Sequence, residues 1–333
     1  MAKWSGERGR QGYHVIDGAY QTIDSSLLKL PLAITTLGAS ICPPLRTLMS
    51  INTPKEIATL AIQAGITKNR LSIPTLFILG VMAGAFIATG FLLDIHVIGT
   101  MPAEWGSFAG FVGAAVFPVG LIMTVLAGGE LLTGNMLLLP LARFAGGIST
   151  TGVIRNWLWV TLANFVGSLA VAYFFGHMLG LTEGAFLGKT VAIAQAKMNA
   201  DFLHAFVSGI GCNWLVCLGV WIAFASKDVV GKVVGMWFPV MAFVAIGFQH
   251  VVANMFIIPA AIFAGQATWA QCLPNLVAVF LGNAVGGAGF VGLAYFLAYR
   301  PASAQATADL ASALQKTQAD LAPTTPTLKA VND

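Results

Sequence analysis

The sequence predicts an all-α membrane protein with six transmembrane helices in two inverted halves of three, the second and fifth helices being broken. Three observations predict it. The 333 residues are 57% hydrophobic and only 9% charged, whereas a soluble domain carries roughly 25% charged residues. Apolar runs long enough to cross a ~30 Å hydrocarbon core recur along the chain. One segment, helix breakers included, returns 119 residues later.

The spans fall at 71–93, 108–138, 155–180, 202–225, 234–263 and 273–299. The second and fifth are too long for one simple crossing, and both contain residues that interrupt helices. Fifteen of the seventeen Lys and Arg residues fall on one side of this arrangement. The two exceptions, Lys189 and Lys197, share the loop between the third and fourth spans. Cytoplasmic loops collect Lys and Arg, so both termini are expected in the cytoplasm of a cell (inner) membrane protein. The basic residues are scattered rather than clustered, which argues against nucleic acid as a partner.

The flanks separate from this core: 1–51 reads as a cytoplasmic N-terminal extension, 52–300 as the channel domain and 301–333 as a mobile cytoplasmic tail. No cleavable signal peptide is expected, because the first apolar stretch begins only near Ser26. That stretch, Leu27 to Leu45, holds Lys29 and three prolines and reads as surface-lying. "TPKEIATLAIQAGITK" predicts a short helix leading into the first span, with Pro54 and Glu56 in its first turn and Gly65 placed to stop it.

The repeat pairs "GGELLTGNMLLLP", Gly128 to Pro140, with "GFQHVVANMFIIP", Gly247 to Pro259. The same offset pairs Asn164 with Asn283 and Gly167 with Gly286. A repeat of three spans reverses direction in the membrane, so the halves must be inverted copies. Interrupted helices at matching places in inverted repeats point to a transport site. Irregular backbone survives in a bilayer only where protein or a water-filled path satisfies its amides. The two breaks therefore predict a pathway.

Polar residues within the spans are the candidates to line it. His250 sits deep in the fifth span, where an apolar setting favours the neutral imidazole. It can donate a hydrogen bond to a carboxylate or exchange a proton with it; the plainer alternative is a bond to a neighbouring helix. Asn213, in the fourth span, could fix the His250 tautomer, contact the cargo or simply join two helices. Asn164, Asn283, Asn135 and Asn254 read as helix-to-helix glue, and the pairs Gly80/Gly84 and Gly282/Gly286 as close packing. Glu130, with Thr133 just after it, should hold the first break by accepting freed backbone N–H groups; its repeat partner Gln249 should do so without a charge. Leu121, Leu131, Phe117 and Phe243 flank the breaks, as core or as dewetting constrictions. Lys197 alone reads as an ordinary loop lysine, although a cation at a pore mouth would concentrate anions. Cys42, Cys212, Cys217 and Cys272 show no CxxC pairing and read as buried apolar residues, so neither a metal nor a cofactor is expected.

With these residues in place the chain resembles the formate–nitrite transporter family over about 52–299. The resemblance rests on "TPKEIATLAIQAGITK", "AGGELLTGNM", "NWLWVTLANFVGS", "KMNADFLHAFVSGIGCNWLVCLGVW", "GFQHVVANMFIIP" and "LGNAVGG" together. It implies a homopentamer with an aquaporin-like pore in each protomer, passing formate, nitrite, hydrosulfide or lactate, and no enzymatic activity. It implies that His250 is the central pore histidine, Asn213 its partner and Lys197 the vestibule lysine, reversing the plainer reading of that lysine. Thr133 and Leu131 match the flexible loop of the second helix, Leu121 the cytoplasmic slit, and Phe117 and Phe243 the constriction. Many members carry Glu just before the central histidine; here it is Gln249. The expected cargo is a small monocarboxylate such as formate, with protons as a possible co-substrate. A neutral-solute channel would share the broken helices without a cation at the mouth. A membrane subunit binding haem would need paired deep histidines, and His96, His177 and His204 lie near span ends.

Overall fold

The computed structural model describes residues 51–299. The proposed extension, the surface-lying stretch, Cys42, the absence of a signal peptide and the tail all concern positions outside those residues. The described chain is helical throughout, and six of its helices are long and apolar enough to cross a membrane. This is a multi-pass membrane protein.

A short helix, α1 (Pro54–Asn69), opens with a capping box between Thr53 and Glu56. The first span is α2 (Ile73–Ile98), capped by Ser72. The second is interrupted: α3 (Ser107–Val116), α4 (Val119–Met123) and a wide π-type turn through Gly128 lead to the break, and α5 (Leu132–Phe144) follows it. The third span, α6 (Thr150–Ala170), runs on to Met178 in a second wide turn. A short α7 (Leu187–Met198) precedes the fourth span, α8 (Phe202–Ala225), whose cap is Asp201. The fifth divides into α9 (Val229–Ile246) and α10 (Val251–Phe263), and the sixth is α11 (Trp269–Ala284) with its extension to α12 (Ala294–Ala298). The fourth span falls where the sequence places it; the first ends, and the third and fifth begin, about five residues outside their expected limits.

Both breaks have the same backbone. Gly128 (φ 92°) and Gly247 (φ 88°) adopt left-handed conformations, which glycine reaches without a Cβ penalty. A Cβ at either position would meet no neighbour, so conformation and not space requires glycine there. Extended residues follow, ending at Leu131 (φ −95°) and His250 (φ −105°), and helix resumes at once.

The two half-helices behind the breaks form the centre of the bundle. Leu132 to Ala142 and Val251 to Ala261 are buried on every side, as expected of helices that are apolar all round. The other spans turn large apolar residues outward, among them Ile78, Phe108, Leu158, Phe174, Val207 and Phe290. The glycine pairs act as expected: a Cβ at Gly84 would overlap the Asn164 carbonyl, and one at Gly282 the Phe206 carbonyl. Gly65 differs from expectation. The helix continues past it to Asn69, and a Cβ there would overlap the Leu138 carbonyl oxygen. It lets α1 press against α5 rather than stopping α1.

Candidate functional site

Each break is pinned by one asparagine on the following span. Asn164 Oδ1 accepts from Leu132 N–H (2.9 Å), while its amide donates to the carbonyls of Gly80 (2.8 Å) and Glu130 (2.9 Å). Asn283 Oδ1 accepts from Val251 N–H (2.9 Å), and its amide donates to Gly209 (2.8 Å) and Gln249 (3.1 Å). The first N–H of each half-helix, which no intrahelical bond can satisfy, thus has a partner. Asn135 donates to Glu130 and Asn156, and Asn254 to Gln249 and Asn275, all within 2.8–2.9 Å. These asparagines are structural glue, and Gln249 holds its break without a charge.

Glu130 holds the first break with a different partner from the one expected. Its carboxylate forms an ion pair with Lys68, at the end of α1, in place of accepting backbone N–H groups. In the sequence Lys68 stands out only as one of the basic residues that set the topology. The structure also shows that α1 and α7 are repeat equivalents, at an offset of 129: Lys68 corresponds to Lys197, the caps Ser72 and Asp201 coincide, and so do Gly80 and Gly209.

A side-chain contact joins the two breaks. Thr133 Oγ1, in the first turn of α5, lies 2.9 Å from His250 Nε2. His250 is the N-cap of α10, and its Nδ1 accepts from Ala253 N–H at 3.1 Å. An Nδ1 that accepts carries no proton, so the neutral ring carries it on Nε2 and donates toward Thr133. The threonine hydroxyl proton is then left for another acceptor. A second proton on Nδ1 would set two N–H groups against each other. In this rotamer His250 therefore donates hydrogen bonds and takes no proton. The positive ends of the α5 and α10 dipoles face this contact from both halves.

Asn213 does not set the tautomer. Its amide donates to the carbonyls of Asn283 (2.7 Å) and Thr133 (3.3 Å), and the side chain is fully buried. It locks α8 to the two breaks, and the Ala253 amide orients the imidazole instead. Sequence reasoning finds a polar residue at the right depth but not the direction in which its amide points.

A cavity opens beside each break. One, of about 400 Å³, is lined by Lys68, Lys232, Thr124, Glu130, Leu121 and Leu131 among others. The other, of about 290 Å³, reaches His250 and includes Lys197, Asp94, Gln249, Phe91, Phe117 and Phe243. Apolar side chains narrow both. Phe117 packs edge-on against Phe243 (centroids 5.7 Å apart) and Phe91 (5.5 Å), while Phe243 stacks on the His250 ring at 5.8 Å. Leu121 and Leu131 are buried beside the first cavity. Lys197 occupies the last turn of α7 rather than a loop, with its Nζ 5.9 Å from the Phe91 ring centroid. Burial pulls its ammonium down to about 8, which leaves it charged at neutral pH.

Sequence reasoning missed Lys68, Phe91 and Asp94. Asp94 had a legible signal, as a carboxylate in an apolar run, but the expected first span ended one residue short of it.

The sequence profile of the formate/nitrite transporter family matches residues 55–297. The chain is 58% identical over 252 residues to an uncharacterized transporter, YrhG, of Bacillus subtilis, covering 75% of this chain and 95% of that protein. It is 54% identical over 252 residues to the formate channel BtFdhC of Bacillus thuringiensis, covering 76% of this chain and 97% of that one. Among solved structures, a pentameric formate channel with formate bound superposes with a TM-score of 0.59 at 30% identity, over 69% of this chain and 98% of that one.

Proposed function

This chain belongs to the formate/nitrite transporter family, and we propose that it passes formate across the membrane along the route between its two broken helices. The observation that carries this reading is the Thr133–His250 contact, which joins the two breaks, each of which lines one of the two cavities.

On this reading Lys197 raises the anion concentration in its cavity. The aromatic cluster of Phe91, Phe117 and Phe243, and beyond the contact Leu121 and Leu131, discourage bare ions from crossing. Thr133 and His250 supply hydrogen-bond donors where hydration has been lost, aided by the facing helix N-termini. A carboxylate crossing apolar narrowings carries a large desolvation cost, and a proton taken up on the way removes most of it. Formate therefore crosses as the weak acid, with a proton as co-substrate. Gln249 and Glu130 shape the breaks and line the two cavities, while Asn213 supports the contact from behind.

The Lys and Arg distribution supports cytoplasmic termini. On that orientation the Lys68 cavity opens inside the cell and the Lys197 cavity outside, in a cell (inner) membrane. The likeness to a pentameric formate channel and the large apolar outer surface support a homopentamer with one route per protomer. The matched core supports reading 1–51 and 301–333 as additions to the channel domain. The family is one of transporters, and this chain is read as a transporter rather than an enzyme.

Uptake by purified protein in proteoliposomes tests the reading, with formate, nitrite, hydrosulfide, lactate and glycerol compared. Formate should enter fastest. His250→Ala, which removes a donor worth about 1.5–3 kcal/mol to a charged or polarised partner, should slow formate entry at least tenfold. Formate entry no faster than in protein-free liposomes would sink the assignment.

A further inference from the structure

The charge arrangement around Lys197 leaves one group unexplained. Asp94 lies on α2 with only 4% of its surface exposed. It lines the same cavity as Lys197, His250 and Gln249. Among the described residues nothing donates a hydrogen bond to its Oδ1. Gly113 on α3 makes room for it, since a Cβ there would overlap Oδ1. Such a carboxyl pins no helix and caps no turn. Buried without a donor, an ionised carboxylate costs several kcal/mol, so its placement needs a reason other than stability.

Two observations supply one. The ion pairs among the described residues are Lys68–Glu130 and two histidine–acid pairs, so Asp94 and Lys197 share a cavity without an ion-pair contact. In the other half the equivalent lysine is neutralised by Glu130, whereas position 249 offers only an amide. A neutral, protonated Asp94 leaves the Lys197 charge free for an incoming anion and keeps an O–H in the same chamber. His250 cannot supply that proton, because its Nδ1 is spent capping α10.

We propose that Asp94 is the proton-exchanging group of the Lys197 cavity, giving its proton to the weak-acid anion that Lys197 has drawn in. This rests on the transport reading above. In the step, the carboxyl O–H bond of Asp94 breaks and an O–H bond forms on the anion's carboxylate oxygen. Asp94 is left ionised, the neutral acid passes the aromatic narrowing, and water-borne protons from the cavity mouth restore the carboxyl. No electrons change hands. The charged and titratable groups that face Asp94 are Lys197 and Lys189 on α7 and, across the cavity, His250 at the start of α10. The adjoining α3 and α4 carry none, and on α2 itself His96 is bonded to the Leu181 carbonyl.

The test is formate influx into proteoliposomes over a range of external pH, with an internal dye reporting proton entry. Asp94→Asn keeps the shape and removes the exchangeable proton. It should lower influx at least fivefold at pH 7 and flatten the pH profile, while Asp94→Glu should restore both. A wild-type rate and profile in Asp94→Asn would overturn the proposal. A hydrophobic carbodiimide, which attacks protonated buried carboxyls, tests the unmutated protein and so does not depend on the variant folding. Mass spectrometry should find Asp94 modified, in step with the loss of influx, and excess formate should slow both. An unmodified Asp94, or full influx after modification, would overturn it. Wild-type protein that moves no formate would instead remove the transport reading itself.

Discussion

The two cavities are made from the same parts and differ in charge. At one, the lysine ending α1 is paired with Glu130. At the other, the lysine ending α7 faces Gln249, whose side chain contacts the Lys197 carbonyl oxygen at 3.5 Å and not its ammonium. The backbone frames coincide through Gly128 and Gly247, Asn164 and Asn283, and Asn135 and Asn254. One carboxylate replaced by one amide decides whether the cation fastens the fold or stays available to a ligand. Even the supporting bonds show this divergence: Glu130 N–H is held by the Leu79 carbonyl at 3.1 Å, whereas Gln249 N–H is held by the Ser208 hydroxyl at 3.0 Å.

The largest effect should come from the part that the halves share. Asn164→Ala and Asn283→Ala each strip three hydrogen bonds from a break and leave buried backbone groups unpaired, at a cost of about 3 kcal/mol. Thermal unfolding in detergent should show equal losses for the two. A clear inequality would mean that the halves are not mechanically equivalent.

Glu130→Gln converts the first cavity into a copy of the second. Breaking a buried pair costs about 3–5 kcal/mol, but Lys68 keeps 22% side-chain exposure, and water discounts the loss to about 2 kcal/mol. A melting temperature equal to wild type would show that the pair contributes nothing.

The reverse change, Gln249→Glu, should let Lys197 pair as Lys68 does. That withdraws about 1 kcal/mol of attraction for the anion, read as roughly fivefold slower formate influx at pH 7. Unchanged influx would mean that Lys197 is not the anion's attractor.

The smallest effect is in the pH profile. The Lys197 ammonium is held down to about 8 by burial, so its charge is present below that pH and lost above it. Influx from the Lys197 side should fall severalfold as external pH rises through about 8. Lys197→Arg, which stays charged throughout, should fall less steeply above pH 8 than the wild type, keeping only the decline that the falling proton supply imposes. Identical profiles for the two proteins would exclude this titration as the cause.

The breaks were legible because each writes two independent signals into the chain. A glycine stands where a left-handed turn is needed, and the same pattern returns in the second half. His250 was legible because one polar side chain in a long apolar run has few structural uses. Lys68 was not, since its partner lies 62 residues away and nothing local distinguishes a lysine that enters a cavity from one that stays in water. Asn213 kept three readings in the sequence for a related reason. Helical position sets depth, but the neighbours Thr133 and Asn283 decide which way the amide points.

The sequence alone determined the membrane as solvent, the six crossings, the inverted halves and the two interruptions. These depend on apolar content and on the local conformational needs of glycine, both of which are properties of short stretches of chain. Tertiary structure alone decided that Thr133 meets His250, that the imidazole is oriented by Ala253, that Lys68 is neutralised and that Asp94 shares a chamber with Lys197. Each of these depends on which side chains distant segments bring together and on whether a partner is there to offset a charge removed from water.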